Sequence, residues 1–480
     1  MSEMYNHPAP QTYLVCTSAE IADFLQQECG QNSGRLEVLY ARERPHGGME
    51  LRYVVNHARE GRFTVIQCPI GAEAPSMARH YPLLGWYERE IQDVYGIRFT
   101  DHPEPAPLLT PLSGLKTQVL TQDKDVQLFP FGPVRADVVE SAMFTFYYAG
   151  EAILHYQPHL FFKHRGMEKR FEGISPLHGV VLAERVSGIG SLAHALAFSQ
   201  AVEAASGCVV PVRAQQWRTV LAELERIYNH LYYLGHLADT TTLKVAQAEG
   251  KLLAEQAKQI NGHLTGSRFL RGMVRPGGLR RDLELHDELL LSLERLRNQT
   301  AWYVDFLLAS NSFRDRLLTT GHLAQHTAYD QGATGPIARA SGIDRDLRRD
   351  HPYAGYDRLN IPVPVREHGD ADARLRVRIE ELSASFDMVV AMLRALEPGE
   401  VYTPCPPCPG GEGLGWAESP RGALFYAVHF AESGSLERVK IKSPSFSNWR
   451  VFPFTVHESN MMDYAINEAS FGLSIAGCDR

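Results

Sequence analysis

The chain has 480 residues, more than the roughly 250–300 that one hydrophobic core usually serves, so two or more domains are expected. Its net charge of −8 and lack of a basic run argue against a nucleic-acid binder. No basic segment followed by an apolar one opens the chain, and no window approaches the roughly 20 apolar residues of a membrane span. A cytoplasmic protein, held at any membrane by its partners, is therefore expected.

In chain order, residues 13–16, 36–42, 51–56 and 63–70 are rich in β-branched and aromatic side chains and predict strands. Between the first two, SAEIADFLQQE predicts a helix with Ser18 as N-cap. A second amphipathic helix is predicted over 80–97. These elements make a small α+β domain, 1–104, followed by a Pro-rich connector, 105–128. The second domain, 129–480, opens with a hairpin-like stretch, AMFTFYYAGEAILHYQPHL, in which Tyr147, Tyr148 and Tyr156 are expected to be core. Apolar residues then recur at helical spacing over 213–238, 243–264 and 283–310 and predict long helices. Arg345, Arg348 and Arg349, interleaved with Asp344, Asp346 and Asp350, suggest a solvated or ion-paired surface. The seven cysteines fit a reducing compartment, and only Cys405-Pro-Pro-Cys408 has metal-ligand spacing. With no second pair beside it, a plain loop is the better reading than a metal clip or a redox pair.

Several stretches carry a family resemblance. WYEREIQDVYGIRF (86–99) resembles the signature of the 30 kDa subunit of complex I. FGPV (131–134), PHLFFKHRGMEKRFEG (158–173) and ERVSGIGSLAHALAFSQAVE (184–203) resemble the complex I 49 kDa subunit. They are still more similar to the large subunit of energy-converting, formate hydrogenlyase-type nickel–iron hydrogenases. ELERIYNHL (223–231), GGLRRDL (277–283), GPIARASGIDRDLRRDHPYAGY (335–356), ESPRG (418–422) and the C-terminal SFSNW and CDR continue the match in family order. The resemblance implies an α+β N-terminal domain followed by a mostly α large-subunit domain with a small β portion. It also implies an iron–sulfur small subunit and antiporter-like membrane subunits as partners, on the cytoplasmic side of the membrane.

The departures from the family pattern bear on function. In the hydrogenases two Cys-x-x-Cys pairs supply the soft thiolates that bind nickel and bridge it to iron. The first pair falls here on Ser187 and Gly190, and the second on Ser474 and Gly477, with Cys478 one residue out of register. No metal is therefore expected on this chain. The sequence also stops directly after Asp479-Arg480, where many hydrogenase precursors are cleaved, which fits a subunit that receives no nickel, a processed form, or one of the hydrogenases that lack the extension.

By the same resemblance, Glu168 matches the hydrogenase proton-relay glutamate, against a structural carboxylate paired with Arg165 or Lys169. Arg421 matches the arginine over the iron's diatomic ligands, against an ordinary buried ion pair. His194 reads as a core histidine. The quinone anchors of the complex I relatives are missing: 134–139 holds no histidine, and Leu182 stands at the tyrosine position. The expected role is a subunit of a hydrogenase-like complex without hydrogenase activity, passing electrons from an iron–sulfur partner to an unknown acceptor, quinone being one candidate. The alternatives are a structural and coupling subunit and, less favoured, an active nickel–iron hydrogenase.

Overall fold

The computed structural model describes residues 11–44, 47–109, 123, 125–135, 140–457 and 459–480. Most of the Pro-rich connector and residues 136–139 of the 134–139 hairpin lie outside them.

The four predicted N-terminal strands form as β1 (Gln11–Val15), β2 (Arg35–Glu43), β3 (Met49–His57) and β4 (Arg62–Ile70). Their order is β1-β4-β3-β2, with β1 parallel to β4 and the other pairs antiparallel. The first predicted helix is shorter than its pattern: Ile21–Leu25 is α-helical and Gln26–Gln31 is a π turn. Ser18 is not its cap, because the Glu20 carboxylate accepts from the Thr17 amide and hydroxyl and so turns the chain itself. Helix α1 (Gly85–Tyr95) starts five residues later than predicted, since Pro82 sets a 3-10 turn before it, and left-handed Gly96 ends it.

Next come the strands β5 (Gln127–Phe131), β6 (Met143–Ala149) and β7 (Ala152–His159), an antiparallel sheet. Tyr147 and Tyr156 are buried there and Tyr148 is half-buried. Helices α2 (Pro176–Val186), α3 (Ser191–Ser206), α4 (Val212–Thr240), α5 (Lys244–Thr265), α6 (Asp287–Ala309) and α7 (Ala371–Arg394) build the α core. A third sheet of β8 (Glu412–Ser419), β9 (Gly422–Phe430) and β10 (Leu436–Lys442) lies on α3. The contact requires Gly413 and Gly415. A Cβ on either would come within 2.2 Å or 2.1 Å of the Ala201 or Ala197 carbonyl oxygen. Helices α8 (Pro444–Val451), α9 (Tyr464–Phe471) and α10 (Ile475–Asp479) close the chain.

The two sequence halves share one continuous core. Phe63 of β4 stacks on His351 and meets Trp416 of β8. Lys442 and Lys440 of β10 reach Glu37 and Glu90, with N–O distances of 2.5 and 2.7 Å.

The 344–350 run is only half a surface. Arg349 and Asp344 pair in solvent, but the turn over Leu347–Asp350 points Asp346 and Arg348 inward, where both are buried. There they join a fully buried ion network. Arg348 binds Asp346 at 2.7 Å and Glu223 at 3.2 Å. Arg339 meets Glu381, Glu418 and Asp346, and Arg226 binds Glu223 at 3.1 Å. Removing one partner of such a set strands opposite charges in a dry core. Arg339→Met is expected to cost about 3–5 kcal/mol, read as a lowered midpoint in chemical denaturation. An unchanged midpoint would refute that role for the network.

Candidate functional site

The four positions that the resemblance assigns to thiolates come together. Ser187 ends α2, and Gly190 immediately precedes α3. Ser474 caps α10, its Oγ accepting from the Gly477 amide at 2.9 Å. A Cβ added to Gly477 would lie 3.3 Å from Ser474 Oγ and 3.4 Å from Ser187 Oγ. Arg165 joins the two motifs by donating to the Arg185 and Val186 carbonyls at 2.8 and 2.6 Å, and to that of Ala476 at 3.4 Å. The helices that follow the motifs have their free amides satisfied by carboxylates. Glu225 accepts from Leu192 and Ala193 at 2.8 and 3.0 Å, and Glu140 from Ile475 and Ala476 at 2.6 and 3.0 Å.

Between them lies a cavity in which the space open to the centre of a water molecule is about 20 Å³, room for one water or two. Ser187, Gly190, His194, Arg421, Ser445 and Gly477 are among its lining residues. Two hydroxyls and two glycines offer no thiolate, so the residues present do not fit a nickel–iron centre. Cys478 does not repair the set. It is buried and does not line this cavity; burial raises its thiol well above the ordinary range, and Asp479 raises it further.

The other predicted residues sort differently. His194 is a core histidine as expected: burial lowers its pKa to about 3, and Nδ1 sits 2.8 Å from the Tyr426 hydroxyl. Arg421 is not the ordinary ion pair considered for it. Its Nε donates to the Gly472 carbonyl at 2.7 Å and Nη1 to Asn229 Oδ1 at 2.9 Å, and it has no salt bridge among the described residues. Burial lowers its pKa to about 10. Glu168 pairs with neither Arg165 nor Lys169, because Arg165 is taken up by carbonyls and Lys169 by Glu172. Its partners are Arg438 at 2.7 Å, Lys440 at 3.0 Å and Arg480 at 3.2 Å. Burial disfavours its charge, but Lys440, Arg438 and Arg480 outweigh that and hold the carboxyl well below the usual range. Glu168 faces a separate cleft of about 420 Å³, bounded by Tyr40, Glu90 and Tyr95, and does not line the small cavity. Leu182 is half-buried against the core and does not line the cavity.

The residues missed by sequence reasoning are Glu225, Asn229 and Glu140. The first two sit four apart on α4, within the motif 223–231, and so face the same way. Asn229 bridges the Ile189 carbonyl and Arg421, at 2.9 Å each.

Three family models match the chain. "Respiratory-chain NADH dehydrogenase, 30 Kd subunit" matches residues 16–130, "Nickel-dependent hydrogenase" residues 165–268, and "Respiratory-chain NADH dehydrogenase, 49 Kd subunit" residues 253–407 and 400–480. Formate hydrogenlyase subunit 5 of Escherichia coli is 30% identical over 92% of this chain and 84% of that protein. NADH-quinone oxidoreductase subunit 4 of Thermus thermophilus is 32% identical over 69% of this chain and 88% of its own length. A chain of the membrane-bound sulfane sulfur reductase, an archaeal respiratory membrane complex, superposes with a TM-score of 0.71 at 26% identity, over 75% of this chain and all of that one.

Burial raises Glu225 to about 7, despite its two backbone donors and the nearby Arg421 and Arg226. Its ordinary value is near 4.3, so the folded protein holds this proton longer than the unfolded chain. Its contribution is full below pH ~4.3 and is lost as pH rises to about 7. Glu225→Gln is therefore expected to flatten that part of the stability profile, with the wild type losing more than the variant between pH 4.5 and about 7. Parallel profiles in denaturant titrations would contradict it.

Proposed function

The chain belongs to the family that unites formate hydrogenlyase-type large subunits with the 30 kDa and 49 kDa subunits of respiratory NADH dehydrogenase, and on that premise we propose that it is a peripheral-arm subunit of a membrane-bound oxidoreductase complex without hydrogenase activity. The reading rests on one observation. The four positions that would carry thiolates hold Ser187, Gly190, Ser474 and Gly477, and three of them, Ser187, Gly190 and Gly477, line a cavity of about 20 Å³. In this reading electrons arrive from an iron–sulfur small subunit docked near α2, and their transfer is coupled to ion movement in antiporter-like membrane subunits. The assembly sits on the cytoplasmic face. No helix among the described residues is long and apolar enough to cross a membrane, which is in keeping with attachment through partners.

A quinone is the acceptor suggested by the relatives' names, and it would require the lining of the small cavity to part. Arg421 would then supply the cationic hydrogen-bond donor for its carbonyl oxygen. The small volume favours a second reading, in which the cavity holds no acceptor and the chain acts as a coupling element between partners.

Metal analysis of the complex, purified anaerobically with its partners, tests the proposal. Iron without nickel, together with no hydrogen oxidation, is the expected outcome. One nickel per chain would overturn it, and absence of both metals would favour the purely coupling role. Arg421→Ala separates the two readings. Loss of quinone reduction with assembly intact places the acceptor at the cavity, whereas unchanged turnover removes it from there.

A further inference from the structure

A groove of about 550 Å³ runs between the N-terminal sheet and the 344–350 stretch. It is lined by three arginines, Arg59, Arg345 and Arg349, by Asp344 and Asp350, and by Ser33 and Ala58. None of them lines the small cavity or the Glu168 cleft.

The fold fixes both walls. Ser33, left-handed at φ 55°, belongs to the turn before β2. Gly34 beside it has no room for a side chain, since a Cβ would come within 2.5 Å of Val55 and 2.6 Å of the Glu28 carbonyl oxygen. Ala58 and Arg59 lie in the turn that joins β3 to β4. On the other side, the Arg345 carbonyl accepts from the buried Arg339 at 2.9 Å, which ties that wall to the core ion network.

The charges in the groove do not cancel. Arg349 takes both aspartates, its Nη1 donating to Asp344 at 2.6 Å and its Nε to Asp350 at 2.8 Å. Glu60, the residue after Arg59, is held by Arg62 at 2.5 Å. Arg59 and Arg345 are therefore left without a salt bridge among the described residues. Arg345 is half-buried, and its Nη1 is covered by protein with no hydrogen-bond partner among those residues. No internal acceptor holds this guanidinium, and a partly dry, unpaired cation favours an incoming anion. Three guanidiniums against two carboxylates leave one positive charge over.

We propose that this groove binds the phosphate monoester of a small polyol. The phosphate oxygens take Arg59 and Arg345, whose planar forks of donors suit an oxyanion. Asp344 Oδ2 and the Ser33 hydroxyl, which make no hydrogen bond among the described residues, accept from the hydroxyls of the polyol. Ala58 is the only apolar lining residue, so nothing in the groove favours an aromatic or aliphatic body. The size falls in the range of roughly 300–1,000 Å³ usual for small-molecule sites, and a bare phosphate would fill only a part of it. Arg59 comes from the N-terminal part of the chain and Arg345 from the second, so the bound ligand bridges the two.

The test titrates glycerol phosphate, inorganic phosphate and glycerol into the purified complex by isothermal calorimetry, at low salt because exposed charges are screened. Glycerol phosphate is expected to bind, inorganic phosphate to bind more weakly, and glycerol not to bind. Arg59→Gln and Arg345→Gln should each weaken glycerol phosphate by roughly tenfold or more. Arg59 lies on an exposed turn, so Arg59→Gln should keep the thermal midpoint of the unliganded complex and serves even where Arg345→Gln does not fold. No binding of either phosphate, or equal binding by the wild type and Arg59→Gln, would overturn the site. Equal affinity for glycerol phosphate and inorganic phosphate would overturn the polyol.

Discussion

The helical core closes around charge. Glu223, Asp346, Glu381 and Glu418 face Arg226, Arg339 and Arg348, and all seven are buried. Because each guanidinium presents a rigid fork of donors, the set fixes the relative placement of four chain segments: α4, the 336–350 stretch, α7 and β8. Four carboxylates against three guanidiniums leave one negative charge over. His230, hydrogen-bonded to Glu381 at 2.8 Å, does not offset it, because burial lowers its pKa to about 4. Burial and Asp346 raise Glu418 to about 7, so the core balances when Glu418 carries a proton. Arg226 also donates to the Glu418 and Ser419 carbonyls, which anchors the turn that presents Arg421.

The cavity inherits its shape from this frame. α4 carries Glu223 and Arg226 into the ion network and, on the same turns, Glu225 and Asn229 toward the former metal positions. The same helix therefore orders the core and holds Arg421 through Asn229. Where thiolates would have pointed inward, Ser474 turns back to cap its own helix and Gly477 leaves only hydrogen. The walls combine hydroxyls, a neutral imidazole and one guanidinium with the apolar surface of Ile189, Pro420 and Pro444. Such a site can order a water and orient a small polar group. It holds no side chain that exchanges a proton near neutrality except through Glu225 behind α3.

The two parts of the chain also depend on buried charge. Glu90 of α1 takes Lys440 and Arg480, and those same cations, with Arg438, hold Glu168 ionised. Glu168, which the resemblance matches to a proton relay, is one corner of an ion cluster between α1, β10 and Arg480. Its chemistry is set by neighbours from β10 and the last residue of the chain.

Sequence alone determined what depends on near neighbours or on residue identity. Enrichment in β-branched and aromatic residues located β1 to β4, because such side chains fit a pleated sheet, and helical spacing located α4, α5 and α6, because that period records which face meets the core. The positions that the resemblance assigns to thiolates could be read directly as serine and glycine, which lack a soft donor whatever the fold. The third sheet was not read from the residues, and only the resemblance implied a small β portion; the need for Gly413 and Gly415 shows once α3 lies against them. Tertiary structure alone decided the partners of Glu168, which lie some 270–312 positions away. It also decided the burial of Asp346 and Arg348 and the exclusion of Cys478 from the cavity lining. Contacts between distant segments leave no period in the chain, and a charge's pKa and partner follow from which segments pack together.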